Sequence, residues 1–273
     1  MNKNSPCRAA KKGKITYWDR LNGWKSRSSV FLFAILGTVL AACSGSAPTY
    51  PGGLQLDVYP LAAAPEPVPL TFQPQNATQE EVLAKHAGER AKVLLNPVQT
   101  VQGQPVMQAL GDGEELTAVV RSSSEDPLRQ IVDVIKGNEV LFTTDAGLPS
   151  PVMPLQALWA YDDHWVLEIL FSEEEIWKGE IFRDGELLND LKGYDESFGF
   201  QLLASEPFYF YQRGDTVGFS YAGEEKDLPY NRIPHYYCCG ESTLNPIHSE
   251  NMVAFFAQQD EEWFYLELGA FED

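Results

Sequence analysis

His235, Cys238, Cys239 and His248 fall in the pattern H-x-x-C-C-x8-H near the C-terminus, inside the stretch PHYYCCGES, where Tyr236 and Tyr237 stand between the first histidine and the cysteines. Thiol and imidazole donors at this spacing allow two kinds of chemistry. Outside the reducing cytoplasm adjacent thiols oxidise, so Cys238 and Cys239 can close a strained ring as a vicinal disulfide. Flanked by tyrosines, such a ring makes a rigid apolar floor for a binding site. The competing account is a metal, because the same four donors suit Zn²⁺ or copper. Neighbouring residues of an extended strand face opposite sides, so both thiols reach one metal only from a turn. The pair could also remain as unpaired or intermolecular thiols. Binding residues expected from this stretch are His235, Tyr236, Tyr237, Cys238 and Cys239, with His235, Cys238, Cys239 and His248 as the metal alternative.

Other catalytic patterns fit poorly. Gly218–Ala222, GFSYA, resembles a nucleophile elbow, but that motif needs a strand-to-helix turn and Ser220 lies in an aromatic run. Asp112, Glu114 and Glu115 in GDGEE lack the D-x-[DN]-x-[DN]-G spacing of a calcium loop. The Glu-rich turns SEEE and QQDEEW identify no acid and base in distinct environments. No phosphate loop or dinucleotide fingerprint occurs, and no cofactor is expected.

The elements that would position these residues come after an export signal. Residues 1–29 hold eight Lys or Arg against one Asp19, and the 13-residue apolar run Val30–Ala42 follows. A basic segment, a short apolar core and small residues are the parts of an export signal. A spanning helix needs roughly 20 apolar residues, more than this run supplies. The sequence Leu40-Ala41-Ala42-Cys43 resembles the lipobox of bacterial lipoproteins. That resemblance implies cleavage before Cys43, acylation of its thiol, and anchoring to a membrane on the extracytoplasmic side of a bacterial envelope. Loss of 1–42 removes eight of 20 basic and one of 39 acidic residues, leaving a net charge of −26. So acidic a chain repels phosphate backbones, whose binding depends on Lys and Arg, and nucleic acid is excluded as a partner.

Residues 43–75 read as the lipidated cysteine and a flexible tether. SGSAPTYPGG is small and polar, and Tyr59–Gln75 has five prolines, which bar regular helix or central strand. LQLDVY between them alternates as an edge strand would. Thr78 and Glu81 form a capping box opening a helix that Asn96-Pro97 stops. Residues 76–273 are expected to form one mainly β domain. LTAVVR, QIVDVI and EVLFTT are short β-branched runs, with a Gly137-Asn138 turn between the last two. Later hairpins join aromatic strands through acidic turns, including Asp184-Gly185, which suits positive φ. They begin near Leu158, Phe208 and Val253, at intervals of 50 and 45 residues, as in a propeller-like repeat or a sandwich. Alternating aromatics make both strand faces apolar, which predicts burial on both sides.

LPYNRIPHYYCCGESTLNP, with prolines at 229, 234 and 246, is a long loop between strand pairs, where binding residues are often carried. Residues 194–271 resemble uncharacterised bacterial exported proteins with a similar LPY…IPHY.CC run, a resemblance that implies no activity. The expected function is a membrane-anchored, non-enzymatic lipoprotein whose β domain binds a ligand or partner. An exported hydrolase and a structural envelope component are the alternatives.

Overall fold

Period-two alternation of apolar residues, interrupted by turns at positive φ, decides the architecture. The computed structural model describes residues 49–61, 64–65, 88, 90–92, 99–101, 104–111, 113–174, 176–236, 242 and 245–271. A 3-10 turn at Pro51–Gly53 leads into β1 (Gln55–Leu61). A meander follows: β2 (Gln99–Val101), β3 (Gln104–Gly111), β4 (Glu114–Ser122), β5 (Gln130–Lys136) and β6 (Glu139–Gly147). The second meander is β7 (Leu155–Tyr161), β8 (His164–Glu173), β9 (Ile176–Arg183) and β10 (Glu186–Leu187), closed by the short helix α1 (Leu188–Lys192). The third is β11 (Glu196–Leu203), β12 (Glu206–Arg213), β13 (Thr216–Tyr221) and β14 (Glu224–Asp227). The last is β15 (Ile247–His248), β16 (Met252–Gln259) and β17 (Glu262–Gly269).

The first two meanders count as one nine-stranded sheet, but a single parallel bridge, Gly147 to Ser172, joins them. The third is a four-stranded sheet by itself, and the last becomes four-stranded when β1 pairs antiparallel with β17 along its whole length. Pro60 is tolerated in β1 because that strand lies at the sheet edge, where a missing amide costs no ladder bond. The mainly antiparallel β fold expected from the sequence is therefore what the structure shows. The helix expected from Thr78 to Asn96 lies outside the described residues, apart from Gly88 and 90–92.

Successive meanders share cores. Leu155, Leu158, Leu167, Ile169 and Phe182 of the second meander pack with Leu116, Ala118, Val120, Val132 and Val134 of the first. The alternate residues Val166 and Ile181 face the other way, against Phe200, Tyr209 and Tyr211. In β12 the run Phe208-Tyr209-Phe210-Tyr211 divides its rings: both phenylalanines join a core with Phe255, Leu266 and Leu268, and both tyrosines join the core toward β8 and β9. The dense aromatic alternation thus serves two-sided burial. Truncating a fully buried ring such as Phe210 to alanine costs about 3–5 kcal/mol. The hairpin turn Asp184-Gly185 has φ of 52° and 87°, the left-handed pair that a two-residue hairpin demands.

Candidate functional site

The site grows from an irregularity in β11. Its register to β12 shifts between Phe198 and Gln201, and Gly199 takes φ of 68°. A Cβ there would lie 3.2 Å from the Phe210 ring and 3.3 Å from Pro246 Cγ, so only glycine fits without displacement. The bulge releases two amides from the ladder and turns them on Glu168 of β8. Gly199 N donates to Glu168 Oε1 at 2.9 Å and Phe200 N to Oε2 at 2.6 Å. A third hydrogen comes from the phenol of Tyr236, which donates to Oε1. Glu168 is 3% exposed, and burial lifts its carboxyl to about 7 against the pull of the Phe200 and Gly199 amides and His235; Glu196 adds to the rise.

Glu196, at the start of β11, anchors the second half. Its Oε1 accepts the Gly179 amide of β9 at 2.7 Å and faces His235 Nε2 at 2.9 Å. His235 Nδ1 lies 2.6 Å from the carbonyl of Ile233. Both partners of the ring are acceptors, so the two bonds are complete only with hydrogen on each nitrogen. The imidazole lies flat on Phe198, with centroids 3.4 Å apart and planes 6° from parallel. Burial works to raise the Glu196 carboxyl, but the charge and hydrogen bond of His235, the Gly179 amide and Lys178 together hold it below the ordinary carboxylate value.

This pairing also covers an open strand edge. β9 pairs with β10 only at Phe182 and Arg183, leaving the amides of Gly179 and Ile181 unladdered. Glu196 takes the first, Ser197 Oγ takes the second at 3.2 Å, and Asn189 of α1 donates to the Gly179 carbonyl at 3.1 Å. Gly179 permits the approach, since a Cβ there would meet Ser197 O at 2.4 Å and the Tyr236 ring at 2.8 Å.

The loop carrying His235 and Tyr236 is pinned at several points. Arg232 forms a backbone bridge with Gln258 of β16. Asn245 Nδ2 donates to Pro234 O at 2.8 Å and to Phe256 O at 2.9 Å, and its Oδ1 accepts Phe256 N at 2.6 Å. Tyr236 takes φ of 52°, strain that non-glycine residues hold only where the surroundings enforce it. Beneath this loop lies a cavity of about 250 Å³, walled by Trp177, Glu196, Gln212, Arg232, His235 and Ser242.

Of the residues singled out in the sequence, His235 and Tyr236 are brought together here. Tyr237, Cys238, Cys239 and Cys43 lie outside the described residues, as does Asp112. His248 is not beside the cavity wall; its Nδ1 donates to Gln201 Oε1 at 2.6 Å, and burial pushes it down to about 4. Among the described residues no group of three or more His, Cys, Asp or Glu side chains is arranged to hold a metal. Ser220 is buried within β13, away from any strand-to-helix turn, and Glu114 pairs with Lys136 at 2.8 Å. Sequence reasoning missed Glu168 and Glu196. A single carboxylate inside an apolar run, as in VLEILF, was the available signal, because a charge is buried only with partners. No protein-family profile matches the chain, and no curated protein matches it in sequence.

Proposed function

We propose that the protein is an exported lipoprotein, fastened to the envelope membrane through acylated Cys43, whose β domain binds a small ligand in the cavity beneath the 230–245 loop. The observation that carries this reading is the cavity wall itself. Glu196 and His235 are fixed in place by bonds to β9 and to the loop backbone, which makes a rigid, pre-formed polar surface. Pre-formed pockets with a few placed polar groups are the usual form of small-molecule sites. In this reading Cys238 and Cys239 form a vicinal disulfide that stiffens the same loop.

The repeated four-stranded meanders, the last of them completed by β1, support a propeller-like repeat over a simple sandwich. Convergence of Glu168, Glu196 and His235 favours an exported hydrolase as the second reading. Against it, both nitrogens of His235 already face fixed acceptors, and Glu168 is sealed inside.

Two experiments test the proposal. Cys43→Ala should leave an unlipidated precursor in membrane fractionation and lipid labelling; normal processing in that variant would reject the anchor. In the processed protein in detergent, small-molecule ligands should shift the Trp177 indole resonance, and filling the cavity with Ser242→Trp should abolish the shifts. Shifts confined to residues remote from the cavity would reject the binding reading.

A further inference from the structure

The acceptors left at the cavity wall define what the ligand must offer. Glu196 receives both of its bonds on Oε1, while Oε2 accepts none from the described residues and is not sealed from solvent. Gln212 Nε2 is committed to the Gly214 carbonyl at 3.2 Å, which leaves its Oε1 in the same condition. Glu196 and Gln212 are direct cross-strand partners on β11 and β12. Such pairs carry their side chains on one face with Cβ atoms about 4.5–5.5 Å apart. The wall therefore presents two adjacent oxygen acceptors on rigid strands, and Trp177 lines the same cavity.

Charge narrows the chemistry. The Glu196 carboxylate already answers to His235 and Lys178. A ligand ammonium would meet these cations at short range, and a ligand carboxylate would meet Glu196; like charges at such distances in a partly dry site are costly. A neutral ligand with neighbouring hydroxyls avoids both penalties and donates to both acceptors. The volume of about 250 Å³ lies just under the usual range of about 300–1,000 Å³ for ligand pockets, so one small ring fits and a long chain does not.

We propose that the cavity receives one neutral sugar residue, with adjacent hydroxyls donating to Glu196 Oε2 and Gln212 Oε1 and the apolar ring face against Trp177. This inference rests on the binding reading above and assigns its ligand class. An exported, membrane-tethered domain would then hold a single saccharide unit, free or at the end of a glycan.

The test is a titration of the processed protein in detergent, followed by the Trp177 indole resonance and by calorimetry. The probes are glucose, galactose, mannose and N-acetylglucosamine, with ethanolamine as a cation and acetate as an anion. At least one neutral sugar should bind and shift Trp177. Gln212→Leu, which leaves Glu196 and His235 in place, should weaken that sugar by about ten-fold, as loss of a hydrogen bond to an acceptor predicts. Glu196→Gln should weaken it further, with circular dichroism checking that the variant is folded. Binding of ethanolamine or acetate with the sugars inert overturns the sugar assignment and keeps the cavity as a binding site. Sugar binding that Gln212→Leu leaves unchanged overturns the assigned contacts, and no binding by any sugar overturns the proposal.

Discussion

Tyr236 donates its phenolic hydrogen to Glu168 Oε1, joining a loop residue to the interior of β8 across 68 positions of sequence. The bond fixes the loop that forms the cavity roof to the same carboxylate that gathers the bulge of β11. Tyr236→Phe removes that donor while leaving the two amides, and should cost about 1–3 kcal/mol. At about 2–4 °C per kcal/mol for a domain of this size, thermal unfolding should move down by several degrees. Hydrogen exchange should rise first in 232–236. An unchanged melting temperature with unchanged exchange would show that the loop is held by other contacts.

Two buried groups give opposite pH dependences. Glu168 is raised from 4.5 to about 7, so the folded state binds more protons than the unfolded state between those values. Its contribution is fully present below about 4.5 and is lost as pH rises through 7. His248 is lowered from 6.5 to about 4, so its contribution is present above 6.5 and is lost as pH falls toward 4. Each shift corresponds to about 3 kcal/mol, and in the wild type the two slopes largely offset. Glu168→Gln should leave stability that climbs from pH 4 to 6.5, and His248→Gln should leave stability that declines from pH 4.5 to 7. Urea titrations across this range check both signs. Parallel profiles for the two variants would show that these groups do not carry the linkage.

Gly199→Ala forces a side chain into left-handed backbone and against Phe210 and Pro246. The strain and crowding should destabilise the domain by about 1–3 kcal/mol, and the amides that hold Glu168 should shift. The readout is the Gly199 and Phe200 amide resonances together with the thermal midpoint. Wild-type values for both would mean that the bulge is not needed for the site.

Oxidation of Cys238 and Cys239 is read by intact mass. The unreduced, processed protein should be about 2 Da lighter than the reduced form, the two hydrogens lost in forming the bond. A dithiol mass under oxidising, metal-free conditions would reject the disulfide.

Strands with regular alternation were legible in the sequence, and the reason is visible in their packing. HWVLEILFSE and FYFYQR bury both faces, so apolar residues run through their centres, interrupted in the first by Glu168. β11 was not legible. ESFGFQLL carries glycine and glutamine where alternation calls for apolar side chains, because the bulge breaks the period there. That break is what turns two amides toward Glu168. α1 was not legible either, since LLN continues the preceding hairpin in composition and only five residues are helical. His235 and Tyr236 were identifiable as residues of a proline-bounded loop. Their partners Glu168 and Glu196 come from other strands, and no local pattern encodes that meeting.

The most direct measurement is a crystal structure of the processed protein grown with the tightest-binding sugar of the titration series. The predicted result is density for one ring in the cavity beside Trp177, with hydroxyl oxygens within hydrogen-bond distance of Glu196 and Gln212. A sugar bound elsewhere on the domain, or a cavity filled by the protein's own 237–241 segment, would contradict it.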